Sequence, residues 1–260
     1  MDLQLPVKLS AKYTNDSQKA RVMTETWVGE RIYCPRCGNP QIKHFPNNEK
    51  VADFYCPACN NQYELKSKKG NIGSKIADGA YDSFIERITS NDNPDFFIMT
   101  YHPKELIVEN LWIIPKYFIM PDMIEKRKPL VPTARRAGWE GCNIRLDKIP
   151  QQGQIPLVLN RSWTSKILVM EQIRQADHLY TNNLEARGWL LDVLKCVNSI
   201  PKQLFSLEDV YRFEDRLSIL HPNNHNVRAK IRQQLQLLRD KGFIDFIHMG
   251  VYQKKNADGQ

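Results

Sequence analysis

The chain lacks any long apolar run. Its most apolar stretch, LWIIPKYFIMP, is too short to span a bilayer and carries Lys116. The opening residues, MDLQLPVKLSAKYTND, contain no apolar core of signal-peptide length. Membrane-spanning and secreted classes are therefore set aside, and a cytoplasmic location is expected. No low-complexity tract or internal repeat stands out. Cysteine is scarce, with six in 260 residues. In a reducing compartment so few are not expected to form a disulfide framework, and any close pairs point to metal binding.

What is present describes a folded protein with room for two domains. Hydrophobic residues make up 42 % of the chain, enough for real cores. Lys and Arg number 37 against 29 Asp and Glu, a net charge of +8. A moderate excess of this kind suits a polyanionic partner without proving one.

Residues 16–32, DSQKARVMTETWVGERI, have helical spacing with Ala20, Met23 and Trp27 on one side, opened by Asp16 or Ser17. VADFYC and QYELKS alternate as two strands of a hairpin. SKIADGAYDSFIERITS looks helical, and DFFIMTYH and LIVENLWIIPKYF look like strands. The order predicts an α/β domain, a mixed sheet with flanking helices, over residues 1–182. Residues 121–150, rich in Pro, Gly and Arg, are expected to be a long functional loop. Residues 151–182 are ambiguous.

Residues 183–260 predict a second domain. EARGWLLDVLKCVNSI, SLEDVYRFEDRLSIL and NNHNVRAKIRQQLQLLRDKG read as three helices, the second capped by Ser206 and the third stopped at Gly242. FIDFIHMGVYQKK reads as a two-stranded ribbon turning near Gly250. Three helices and a hairpin are the layout of a winged helix.

Two C-x2-C pairs, Cys34/Cys37 and Cys56/Cys59, are separated by 18 residues. This spacing lets four thiolates close a tetrahedral zinc shell, which leaves no open position and so serves structure. Cys142 and Cys196 read as ordinary buried thiols, and His44 as a surface residue.

The second cysteine pair lies between Asp53 and the run Glu64-Leu65-Lys66. Alternate strand positions share a face, so Glu64 and Lys66 point together, and Asp53 reaches them from the neighbouring strand. Two carboxylates suit a hard divalent cation such as Mg2+, and a lysine can orient water and stabilise growing negative charge. Acid, acid and lysine are the set that phosphodiester hydrolysis requires. The pattern alone is weak. The lysine-rich run KSKKGNIGSK, which includes Lys68 and Lys69, lies where a phosphate backbone would pass.

With VADFYC and ELKSKKGN in view, the chain resembles the DpnI family of methyl-directed type II restriction endonucleases. The similarity continues through SQKAR, YCPRCGN, DGAY, PTARRAGW, GCNI, YRFE and IRQQLQ, and so spans nearly the whole chain. It implies a PD-(D/E)xK nuclease domain with a zinc site, followed by a winged helix. It further implies Mg2+-dependent cleavage of double-stranded DNA at GATC sites bearing N6-methyladenine. Asp53, Glu64 and Lys66 take the catalytic places, with Asp53 and Glu64 holding magnesium. Ala52 stands where the broader superfamily motif has Pro. DNA contacts are expected from Arg135, Arg136 and Trp139 in the loop. Further contacts are expected from Asn223, Asn224, His225, Arg228 and Arg232 on the third winged-helix element. The enzyme is expected to work as a monomer. The rival reading is a non-catalytic DNA-binding regulator with a zinc knuckle and winged helix; an HNH-type nuclease lacks a suitable His pair.

Overall fold

The computed structural model describes residues 2–46, 52–90 and 93–255, arranged in two compact units. The first comprises Met1–Lys148 with Gly153–Arg174, the second Ile149–Gln152 with Gln175–Gln260. Val51, the first residue of the expected VADFYC strand, lies outside the described residues. No helix among the described residues is long and apolar enough to cross a membrane.

The first unit begins with a helical turn, α1 (Val7–Ser10), and the long helix α2 (Asp16–Arg31). The cap of α2 is Asn15, whose side chain accepts from Ser17 N at 2.8 Å, one residue earlier than the sequence signals placed it. Strands β1 (Lys43–His44), β2 (Phe54–Tyr55) and β3 (Gln62–Lys69) follow. Next come β4 (Lys75–Ala80), helix α3 (Tyr81–Thr89), β5 (Asp95–Tyr101) and β6 (Val108–Ile114). The unit continues through β7 (Ile124–Lys126), β8 (Gly141–Arg145), β9 (Ile155–Leu159), β10 (Ser162–Trp163) and the start of α4 (Lys166–Asp177).

The main sheet runs β1-β2-β3-β5-β6-β9-β10. Only β3 and β5 are parallel in it, in register from Tyr63 opposite Asp95 to Lys69 opposite Tyr101. A parallel pair needs a crossover, and β4 with α3 supplies it. Every residue of β5 is buried, which explains the unbroken apolar run FFIM at its centre. Helix α2 lies against the sheet through Trp27 and Val28, both essentially inaccessible, and Thr24 Oγ1 lies 3.2 Å from Ser67 Oγ on β3. The approach to the β1–β2 edge is close at Gly29, where an added Cβ would meet His44 Nε2 at 2.8 Å.

A second sheet, β4-β8-β7, corrects two expectations. The segment SKIADGAYDSFIERITS is not one helix. Lys75–Ala80 pairs with β8, and α3 starts only at Tyr81. Residues 121–150 are likewise not one loop. They contain β7 and β8, anchored by buried Ile124, Cys142, Ile144 and Leu146, and the irregular tip runs only from about Arg127 to Glu140. The ambiguous region resolves into β9, β10 and α4.

The second unit contains α5 (Leu184–Ser199), β11 (Leu204–Ser206), α6 (Leu207–Tyr211), α7 (Glu214–Leu220) and α8 (Val227–Asp240), then β12 (Ile244–His248) and β13 (Val251–Lys254). Its core is built from Trp189, Leu190, Val193, Leu194 and Val197 of α5 with Val227, Ile231, Leu235 and Leu238 of α8. Ser206 caps α6 in a capping box with Asp209. The expected second helix is broken between α6 and α7 at Arg212–Phe213, where no Gly or Pro announces a break. The ribbon gains β11 as a third strand, in the order β11-β13-β12. Helices followed by a small sheet give the winged helix-turn-helix layout the pattern predicted.

Candidate active site and zinc centre

The four knuckle cysteines come together. Their Sγ atoms all lie within 4.8 Å of one another, with Cys34 to Cys59 at 3.6 Å and Cys37 to Cys56 at 3.5 Å. Four thiolates at about 2.3 Å from a tetrahedral zinc stand about 3.8 Å apart, so the cluster fits that ion closely. The two knuckles share one design. In each, the N–H of the fifth residue (Gly38, Asn60) donates to the carbonyl of the first cysteine at 2.9 Å. The first cysteine's N–H donates to the carbonyl of the sixth residue, Asn39 or Asn61, at 2.8 and 2.9 Å. The fifth position has positive φ, +77° at Gly38 and +58° at Asn60, which suits Gly and Asn.

Surrounding groups fix the knuckles to the sheet. Tyr63 Oη, fully buried, lies 3.0 Å from Cys34 Sγ, where it can donate to a metal-bound thiolate. Asp95, also fully buried, accepts from Arg36 Nε at 2.6 Å and Nη2 at 3.1 Å. The same carboxylate accepts from Asn61 Nδ2 at 2.8 Å and Lys116 N at 2.9 Å. Arg36 belongs to the first knuckle and Asn61 to the second, so one carboxylate on β5 gathers both. The sequence reading missed Asp95, which looked like one more polar residue at a strand start.

The second knuckle is also the turn of the β2–β3 hairpin, in which Phe54 faces Tyr63 and Tyr55 faces Gln62. This joins the zinc centre to the acids. Asp53 stands just before β2, and its Oδ2 accepts from Leu65 N at 2.8 Å. Burial pushes the Asp53 carboxyl up to about 6; the bond from Leu65 opposes this, and the charges of Glu25 and Glu64 add to it. Glu64 and Lys66 share a face of β3, as the alternation requires, and Lys66 Nζ donates to Glu64 Oε1.

Two further residues complete a buried chain of charges. Lys66 Nζ donates to Asp78 Oδ1 on β4 at 2.6 Å, and Glu64 Oε2 lies 2.9 Å from Arg87 Nη1 on α3. Burial pulls the Lys66 ammonium's pKa down, but Glu64 and Asp78 outweigh it and hold the value above the ordinary one. Burial pushes Asp78 up despite Lys66. Asp78 was overlooked because its segment read as a helix. Arg87 was likewise read only as part of a helix. Asp53 and Glu64 offer carboxylate oxygens, the donor type that a small divalent cation prefers.

The remaining candidates are distributed more widely. Lys68 and Lys69 are exposed on the second half of β3. Arg135 and Arg136 are exposed on the β7–β8 tip, with the Arg136 guanidinium 4.9 Å from the centre of the Trp139 ring. Trp139 is half-buried and covers Gly141, where a Cβ would meet its ring at 2.8 Å. In the second unit Asn223 and His225 are exposed ahead of α8, and Asn224 is half-buried. Arg228 pairs with Glu214 at 2.7 Å, and Arg232 Nη1 donates to Tyr211 Oη at 2.7 Å. Both arginines therefore have partners within their own unit. Cys142 and Cys196 are buried, and burial pushes their thiols up to about 12 and about 11.

An α/β domain with a four-cysteine cluster is followed by a helix-turn-helix module, the class of architecture that suggests DNA binding. Residues 1–182 match the DpnI, or Dam-replacing, family, and residues 185–254 match the Dam-replacing HTH domain. The chain belongs to this DpnI, or Dam-replacing, family. Membership points to a methyl-directed restriction enzyme, and the HTH domain to DNA binding.

Proposed function

We propose that the protein is a type II endonuclease that hydrolyses double-stranded DNA at GATC sites carrying N6-methyladenine, with Mg2+ as the catalytic ion and Zn2+ as the structural one. The observation that supports the reading is that Asp53 accepts from the backbone of Leu65, between the paired Glu64 and Lys66, in a hairpin whose turn carries the second cysteine pair. A pure DNA binder has no use for such a group.

In this reading Asp53 and Glu64 hold the divalent cation, which when bound supplies positive charge to the phosphate and acidifies water. Lys66 orients the attacking water and stabilises negative charge growing on the phosphate oxygens. Zinc fixes the separation between the Asp53 strand and the Glu64–Lys66 strand. Lys68 and Lys69 bind the phosphate backbone nearby, and the products carry 5′-phosphate and 3′-hydroxyl ends.

Residues 1–182 act as the nuclease and 183–260 as a DNA reader. One methyl group contributes about 0.8 kcal/mol of apolar burial, roughly a fourfold preference. Strict methyl dependence therefore needs both methyls of the palindrome, or separate inspection by two domains. Trp139, with Arg135 and Arg136, suits inspection from the β7–β8 tip. The residues at the start of α8 suit the major groove, where the N6-methyl group projects.

The test is digestion of one plasmid prepared from methylating and non-methylating hosts, with purified protein and Mg2+, as a monomer in solution. Cutting of the methylated plasmid alone supports the proposal. Binding without cutting would reassign the protein as a methylated-DNA regulator.

A further inference from the structure

Lys66 has two carboxylate partners, and only one of them belongs to the acid–acid–lysine set. We infer that the other, Asp78, is the positioning residue that holds the Lys66 ammonium in its working place. The inference rests on the nuclease reading above and deepens it.

The geometry is specific. Lys66 Nζ donates to Glu64 Oε1 on its own strand and to Asp78 Oδ1 at 2.6 Å from β4. The Lys66 side chain is 16 % exposed and that of Asp78 only 4 %. Asp78 Oδ1 also accepts from Gly79 N at 2.5 Å, which pins the carboxylate plane. Asp78 Oδ2 is buried without a hydrogen-bond partner among the described residues, so it can take a second ammonium proton. Asp78 pairs with Cys142 across β4 and β8, and the register shifts between Asp78 and Ala80. A bulge at that place re-aims a side chain, here toward Lys66.

Glu64 already serves two cations. Its Oε1 faces Lys66 and its Oε2 faces Arg87 Nη1. Once Glu64 is engaged by a divalent ion, its attraction for the ammonium is shared. A lysine on a flexible four-carbon stem then needs another anchor to stay in line with the scissile phosphate. Asp78 supplies it from a different sheet, so movement at Glu64 does not carry the anchor with it. Asp78 touches neither substrate nor phosphate in this scheme and acts only through Lys66.

The experiment compares Asp78→Ala, Asp78→Asn and Lys66→Ala with the unaltered protein. Measured quantities are the single-turnover cleavage rate at saturating enzyme, Kd for methylated DNA in Ca2+, the Mg2+ concentration at half-maximal rate, and Tm. Loss of the anchor is expected to slow cleavage by Asp78→Ala about 100-fold, the usual effect of a misplaced catalytic group. DNA affinity and half-saturating Mg2+ should stay close to those of the unaltered protein, while Tm falls by several degrees because a buried ion pair loses one side, the chain still being folded at the assay temperature. Asp78→Asn keeps one oxygen for Lys66 and should restore part of the rate. If Asp78→Ala does not fold, Asp78→Asn decides, with a reduced rate at unchanged Kd as the supporting result. Three results overturn the inference: a wild-type rate in the Asp78 variants, a rise in half-saturating Mg2+ that makes Asp78 a metal ligand, or a fall in rate no larger than the fraction of Asp78→Asn unfolded at the assay temperature. Lys66→Ala separates the two levels. If it still cuts, the nuclease assignment itself fails; if it is inactive while Asp78→Ala cuts normally, only the role of Asp78 fails.

Discussion

Asp95→Asn offers a sharp test of how the zinc knuckles are held. The carboxylate is fully buried and takes four hydrogen bonds, two from Arg36, one from Asn61 and one from the Lys116 backbone. An amide has the same shape but only one acceptor oxygen. Whichever way it turns, its NH2 faces a donor: Arg36 Nε and Asn61 Nδ2 on one side, Arg36 Nη2 and Lys116 N on the other. The Arg36 guanidinium also loses the charge of the Asp95 carboxylate. Breaking one side of a buried ion pair costs about 3–5 kcal/mol. At about 2–4 °C per kcal/mol for a domain of this size, Tm should fall by about 6–20 °C. Because the freed groups belong to the two knuckles, zinc affinity should fall by about 10–100-fold, readable by competition with a chromophoric chelator. Arg36→Met should lose much of the same energy, and the double variant should lose far less than the sum. A Tm within about 2 °C of the unaltered protein, with zinc retained, would refute the reasoning; so would strict additivity in the double variant.

Three other outcomes are expected. Cys56→Ser should lower zinc content below one ion per chain and reduce Tm, measured by atomic absorption and calorimetry. Asp53→Ala and Lys66→Ala should each abolish plasmid cutting while gel-shift binding to the methylated site persists, and residual cutting by either would count against the assignment. Gly29→Ala should destabilise the protein by about 1–3 kcal/mol in urea unfolding, because the new methyl must displace His44.

Much of the fold could be read because its signals are local. The C-x2-C pairs specify their own turns through Pro-x-Cys-Gly and Pro-x-Cys-Asn, and the alternation in QYELK forces Glu64 and Lys66 onto one face. α8 announces itself through Val227, Ile231, Leu235 and Leu238 at helical spacing, and all four are buried. What stayed hidden depends on distant partners. Lys75–Ala80 has helix-compatible residues and becomes a strand only because β8 offers it an edge. The helical misreading concealed Asp78, whose importance lies in meeting Lys66 from another sheet. Asp95 was silent for the same reason, since nothing near it in sequence shows that Arg36 and Asn61 converge there. The break at Arg212–Phe213 carries no helix-breaking residue to announce it, though Val210 and Leu217 on either side are both fully buried.

The second cysteine pair serves at once as hairpin turn, half of a cluster that fits zinc, and spacer between Asp53 and Glu64. An ordinary surface turn absorbs insertions and deletions at small cost. Here one residue added between Tyr55 and Cys56 would shift the ligands, and one added after Cys59 would flip Glu64 and Lys66 to the opposite side of the strand. Length variation in this chain must therefore be accommodated in loops that carry neither the cysteines nor the residues proposed to read DNA.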